Sequence, residues 1–65
     1  MLVYNGQEIM LSEQITLEQF LVTKNYDILK IAIELNSQII PKTQYGQVVL
    51  NNTDKLEVVS FVGGG

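Results

Sequence analysis

Residues 2–11 read LVYNGQEIML, two short apolar runs with Asn5-Gly6 between them. A two-residue hairpin turn requires positive φ at both central positions, and asparagine followed by glycine adopts that geometry at low cost. The stretch therefore predicts a strand over Leu2–Tyr4, a tight turn, and a second strand over Gln7–Leu11. This hairpin decides the fold, because it begins a sheet that the rest of the chain must extend or cover.

The next element is a helix that carries its own start signal. Thr16 is followed three residues later by Gln19, a spacing that lets each side chain accept a backbone N–H at the helix start. The residues after Thr16 form one apolar stripe at helical spacing: Leu17, Phe20 and Leu21. We predict a helix from about Leu17 to about Lys24, ended by Asn25 in a left-handed conformation.

The remaining chain alternates short apolar runs with turn residues. These runs predict strands at Ile31–Leu35, Gln38–Ile40, Val48–Leu50 and Lys55–Val62. Ile28 and Leu29, in the connection before them, are expected to pack beneath the sheet. A hairpin, one helix and further strands make an α+β domain, a mixed sheet of four to five strands with one main helix on one face. The last strand is expected beside the first, in the centre.

Composition excludes several classes of function. With 65 residues, 46% of them hydrophobic and 17% charged, the chain allows one globular domain. Four lysines, no arginine and a net charge of −3 argue against nucleic-acid binding and weakly favour a partner with a basic surface. Cysteine and histidine are absent, so we expect no metal site and no nucleophilic catalysis by side chains. Neither a signal peptide nor a membrane span is evident, and we expect a cytoplasmic protein that does not bind membranes.

The end of the sequence departs from this domain pattern. Phe61-Val62 is followed by Gly63, Gly64 and Gly65. Glycines have no side chain to pack and the largest backbone freedom, so we predict a domain over residues 1–62 and a flexible tail over residues 63–65. Either the tail is a frayed terminus or a cloning remnant, or its carboxylate is a reacting group that a thread without β-carbons carries into a narrow tunnel of a partner.

Three segments together make the chain resemble the ThiS sulfur-carrier family of thiamin biosynthesis, whose fold is the ubiquitin-like β-grasp. They are Val3–Gly6 near the start, Asn36–Pro41 in the middle and Val59–Gly65 at the end. The resemblance extends over essentially the whole chain. A terminal Gly-Gly alone would be a weak signal, but the Asn-x-x-Ile-Ile-Pro segment and the glycine end, in this order and length, are specific together.

The resemblance implies a protein co-substrate rather than an enzyme. A ThiF-like enzyme would adenylate the Gly65 carboxylate with ATP, with Gly63 and Gly64 threading the tail into its site. Sulfur from a cysteine desulfurase or another persulfide donor would convert that carboxylate to a thiocarboxylate. Thiazole synthase (ThiG) would then take up the sulfur. The carrier itself would bind no cofactor, because ATP is used by the partner enzyme.

The last strand also predicts a docking surface. Strict alternation places Leu56 and Val58 on one face and Val59 and Phe61 on the other. If the first pair faces the helix, Val59 and Phe61 are exposed beside the tail, and exposed apolar patches often mark interaction sites. We predict that Val59, Phe61 and Val62 bind the partners. The alternative is a β-bulge that returns Phe61 to the core.

Three rival functions remain open on the sequence. One is the small, MoaD-like subunit of molybdopterin synthase, which shares the tail chemistry. Another is a ubiquitin-like modifier that is joined to lysines. The last is a β-grasp binding module whose glycine end is incidental.

Overall fold

A five-stranded mixed sheet carries one helix on one of its faces, in a computed structural model that describes residues 1–61. The elements, in chain order, are β1 (Leu2–Tyr4), β2 (Gln7–Ile9), β3 (Ile15–Thr16), α1 (Leu17–Thr23), β4 (Ile31–Leu35), β5 (Gln38–Ile40), β6 (Val49–Leu50) and β7 (Lys55–Ser60). Short 3₁₀ turns precede β4 and follow β5. The predicted α+β class and ubiquitin-like sheet are confirmed. Val62 and the predicted tail, residues 63–65, lie outside the described residues.

The N-terminal hairpin forms as its turn residues predict. Asn5 and Gly6 have φ values of 48° and 83°, and β1 pairs antiparallel with β2 on either side of them. The second strand ends at Ile9 rather than Leu11. Leu11 instead donates its N–H to Asn52 Oδ1, at 2.9 Å, and accepts from Asn52 Nδ2, at 3.2 Å. The Asn52 side-chain amide, 41 positions away, thus bonds the backbone of Leu11 beyond the end of the ladder between β1 and β2.

Both predicted signals at the ends of helix α1 are confirmed. Thr16 Oγ1 accepts the Gln19 N–H at 3.1 Å, and Gln19 Oε1 accepts the Thr16 N–H at 3.0 Å. At the other end Lys24 is the C-cap, and Asn25 is left-handed with φ of 64°. The apolar stripe is buried against the sheet: Leu17, Phe20 and Leu21.

The sheet order is β2-β1-β7-β4-β5, with the last strand in the centre as predicted. β7 runs parallel to β1 and antiparallel to β4. Alternate residues of the central strands face the helix and form the core with it, among them Ile31, Ile33, Leu56 and Val58. The helix and the sheet each have one apolar surface, and packing them together removes both from water.

Two further details of the fold differ from the sequence predictions. β3 and β6 form a separate two-stranded sheet, with Ile15 opposite Leu50 and Thr16 opposite Val49. Strands of two residues are too short to show an alternation pattern, so the sequence did not predict this sheet. Leu29 was expected beneath the sheet but is 76% exposed. It lies in a 3₁₀ turn, where neighbouring side chains diverge by about 120°. Ile28 therefore packs against the core and Leu29 points outward.

Among the helices that the structure describes, none has the length and apolar character needed to cross a bilayer.

Candidate functional site

The sheet face opposite the helix carries exposed apolar side chains on β5 and at the end of β7. Val59 lies opposite Ala32 of β4, and Ile39 of β5 lies opposite Glu34 of β4. Val59 is 56%, Phe61 50% and Ile39 70% exposed. The prediction that Val59 and Phe61 are exposed is therefore confirmed, and the alternative that a bulge returns Phe61 to the core is wrong. We call Ile39, Val59 and Phe61 the open-face patch.

Phe61 is held in line with the sheet although it lies beyond β7. Its N–H donates to the Lys30 carbonyl at 2.7 Å, which continues the pairing of β7 with β4. The Lys42 ammonium lies 6.0 Å from the centre of the Phe61 ring, within range of a cation–π attraction. The same ammonium donates to the Ile31 carbonyl at 2.8 Å. Phe61 thus has a fixed backbone and an exposed ring.

On the other side of β7, the Asn5 side chain takes the place of a strand. Asn5 Oδ1 accepts the Val58 N–H at 2.8 Å, and Asn5 Nδ2 donates to the Val58 carbonyl at 3.4 Å. The sequence predicted Asn5 as a turn residue and missed this contact, which joins positions 53 apart. Lys42 and Ile39 were likewise missed as parts of the site. Alternation along β5 would have placed Ile39 on the open face.

The Lys42 ammonium lies near the end of β7, beside the Phe61 ring. The backbone carbonyl of Lys30 bonds to Phe61 there, and the Lys24 ammonium lies near the Tyr4 ring at the end of helix α1. The fourth lysine, Lys55, begins β7 at the opposite end of the strand. A positive group therefore lies beside the point where the chain leaves β7.

A pair of tyrosines lies on the helix side of the sheet. The Tyr4 and Tyr26 hydroxyls are hydrogen-bonded to each other, and the Tyr4 ring meets Phe20 edge-on, with the ring centres 5.2 Å apart. The Lys24 ammonium lies 5.6 Å from the Tyr4 ring centre. Burial raises the pKa of Tyr4 to about 12, and the Tyr26 hydroxyl contributes to the same shift. Tyr4 is therefore a neutral structural group at physiological pH and not a base.

A surface depression elsewhere on the molecule shares no residue with the open-face patch. It has a volume of about 250 Å³ and is lined by residues 11–14 and 50–52. Within residues 1–61, acidic side chains do not gather in a group of three that could hold a metal ion. What the described residues offer is an exposed apolar surface that includes the end of β7. The predicted reacting residue Gly65, the threading residues Gly63 and Gly64, and Val62 all lie beyond the described residues.

The model of the ThiS family matches residues 2–65 of the chain. The chain is 47% identical over 64 residues to a thiazole synthase of Paramagnetospirillum magneticum, a match that covers 98% of this chain and 20% of that protein. It spans about a fifth of that relative's length. It is 33% identical over 66 residues to the sulfur carrier protein ThiS of Bacillus subtilis, over the whole of both chains.

The fold is shared with solved structures. The thiamine biosynthesis protein ThiS from Geobacter metallireducens superposes with a TM-score of 0.81 at 22% sequence identity, covering 98% of this chain and 97% of that one. At this level of identity the likeness concerns the fold alone.

Proposed function

This chain belongs to the ThiS family, and on that premise we propose that it is a sulfur carrier of thiamin biosynthesis whose Gly65 carboxylate is the reacting group. The observation that carries the proposal is the match to the Bacillus subtilis sulfur carrier over the full length of both chains. The glycine run at residues 63–65 and the exposed surface just before it agree with such a role.

The first step is activation of the carboxylate. A carboxylate oxygen of Gly65 attacks the α-phosphorus of ATP in a ThiF-like enzyme, and pyrophosphate leaves. The carboxylate is ionised at neutral pH, because the ordinary pKa of a terminal carboxyl is about 3.3–3.7. The product is an acyl adenylate, in which AMP is a good leaving group.

Sulfur enters in the second step. A persulfide, supplied by a cysteine desulfurase or another donor, attacks the acyl carbon with its terminal sulfur, and AMP leaves. A thiol then cleaves the sulfur–sulfur bond, and a thiocarboxylate remains on Gly65. Thiazole synthase takes up this sulfur. A relative that bears the name thiazole synthase and contains a segment similar to this whole chain supports that partner.

The folded domain binds the partner enzymes and so positions the tail for this chemistry. The open-face patch docks the partners, while Gly63 and Gly64 pass through a passage too narrow for a β-carbon. ATP and all catalytic side chains belong to the partner enzymes, so the carrier is a co-substrate and binds no cofactor of its own. The cycle takes place in the cytoplasm.

The test is ATP–pyrophosphate exchange catalysed by the ThiF-like enzyme, with this chain as acceptor. Deleting Gly65, or adding one alanine after it, should abolish exchange while the thermal unfolding midpoint stays unchanged. The matched control adds the same alanine before Met1, at the other end of the chain, and should leave exchange intact.

Two observations would contradict the proposal. One is full exchange by the variant extended after Gly65, because the reacting carboxylate would then not be that of Gly65. The other is recovery of the chain from cells joined to lysines of other proteins, with no form heavier by the difference between a sulfur and an oxygen atom. That second result would favour a protein modifier.

A further inference from the structure

The two edges of β7 are covered to different lengths. On one side β4 accompanies β7 to its end, with Ile31 opposite Ser60 and the Phe61 N–H bonded to the Lys30 carbonyl. On the other side β1 pairs with β7 only as far as Tyr4 opposite Leu56. The last part of β7 therefore has a neighbouring strand on one edge only.

On the side of β7 that pairs with β1, Asn5 is the last residue that bonds to the strand. The Asn5 N–H donates to the Leu56 carbonyl at 2.9 Å, as in a parallel ladder. The next bond of that ladder would join the Val58 N–H to the main-chain carbonyl of Asn5. The positive φ of Asn5 turns the backbone away into the hairpin, and its side-chain amide bonds both the N–H and the carbonyl of Val58 instead. One side chain thus replaces one peptide group, and the ladder stops there.

Ser60 is the next residue of β7 that faces this edge. In an antiparallel pair the backbone groups of successive residues point to opposite sides, and Phe61 bonds to β4. The Ser60 N–H and carbonyl therefore point away from β4, toward the side where β1 has already ended. Within residues 1–61 neither group has a hydrogen-bond partner. An open strand edge of this kind is a template for another strand.

We propose that an extended segment of the adenylating enzyme pairs with this edge, forming backbone hydrogen bonds with Ser60. This rests on the proposed function. The edge and the open-face patch are continuous, since Ser60 lies between Val59 and Phe61 in the chain. An enzyme that encloses the tail must also flank the backbone that leads into it, so its own backbone comes within reach of Ser60.

A second copy of this chain is a poorer occupant of the edge. Two copies paired through Ser60 would share only a few backbone hydrogen bonds, and each such bond contributes only about 1 kcal/mol. An enzyme already bound to the patch and the tail gains the same bonds without a new loss of translational freedom. Strand addition to an exposed edge is a common way to bind an extended segment.

The first test compares Ser60→Pro with Ser60→Ala. Proline lacks the N–H, and an edge position whose N–H is not used within the fold tolerates it. Alanine keeps the N–H and is the matched control. Ser60→Pro should lower kcat/KM for exchange about fivefold or more, the effect of losing roughly one hydrogen bond, while Ser60→Ala stays close to wild type. Equal activity of the two folded variants would overturn the proposal.

The second test needs no variant. Amide hydrogen exchange of the isotope-labelled wild-type chain is followed by NMR, alone and with the adenylating enzyme and a non-hydrolysable ATP analogue. The Ser60 amide should exchange rapidly in the free chain and about tenfold or more slowly in the complex. The Val58 amide, already bonded to Asn5, should be protected in both. An unchanged Ser60 rate in the complex would refute strand pairing.

Failure of this proposal is distinguishable from failure of the proposed function. If wild type supports pyrophosphate exchange but Ser60 stays unprotected in the complex, only strand pairing is wrong. If wild type supports no exchange, the proposed function is wrong and the pairing proposal falls with it.

Discussion

The two faces of the sheet differ although the same strands build both. On the helix side, Leu56 and Val58 of β7 are buried, Leu56 completely. On the open side, Val59 is more than half exposed, one residue away along the same strand. Alternation in β7 thus separates two tasks. One set of side chains stabilises the fold, and the set between them is free to bind a partner.

The largest expected effect is on stability, and Val58 and Val59 test it as a matched pair. Val58→Ala should lower the free energy of unfolding by about 2 kcal/mol, since it removes buried methyl groups and leaves a cavity. Val59→Ala makes the same chemical change on the open face and should alter stability by less than about 0.5 kcal/mol. Urea unfolding followed by circular dichroism measures both. Equal losses of unfolding free energy in the two variants would mean that the exposed face stabilises the fold as much as the buried face does.

A smaller effect is expected on partner binding from the open face. Phe61→Ala should reduce kcat/KM for pyrophosphate exchange about tenfold, or ~1.4 kcal/mol, because exposed aromatic side chains often dominate an interface. Its stability should stay near that of wild type. Met10→Ala is the control, since Met10 is also an exposed apolar residue but lies outside the open-face patch. If both variants lost activity equally, the patch would not be the docking surface.

The smallest expected effect is a pH dependence of stability that arises from Tyr4, on the helix side of the sheet. Burial raises the pKa of Tyr4 to about 12, above the ordinary value near 10 that the unfolded chain should have. The folded state therefore holds this proton more tightly. The associated stability is complete below about pH 10 and is lost as the pH rises through about 12.

Tyr4→Phe tests this dependence. In this variant the urea unfolding midpoint should fall less steeply with pH above about pH 10 than it does in wild type. The slope should not vanish, because burial also raises the pKa of Tyr45. A wild-type slope in Tyr4→Phe would show that Tyr4 is not the responsible group.

Local signals account for what the sequence predicted. The Asn5-Gly6 turn, the Thr16–Gln19 helix start and the alternation in β7 each depend on neighbours within a few residues, and the structure has all three. The fold class and the exposure of Val59 and Phe61 follow from them. The part played by residues 62–65 stays a prediction.

Long-range contacts account for what the sequence missed. The amide of Asn5 reaches a strand 53 positions away, and Lys42 reaches a carbonyl 11 positions back, so neither contact has a periodic pattern. Leu29 was misplaced because an apolar residue beside Ile28 was expected to follow it inward, whereas a 3₁₀ turn separates them.

The distribution of the lysines has a consequence for how the chain meets other molecules. Its formal charge is −3, yet the Lys42 ammonium lies 6.0 Å from the centre of the Phe61 ring, just beyond the end of β7. The strand end therefore carries a local positive charge on a chain whose net charge is negative. A negative group of another molecule is attracted to this ammonium once it comes within about 8 Å in physiological salt, although the chain as a whole repels it. The sum of the charges therefore does not decide which sign of surface the strand end approaches.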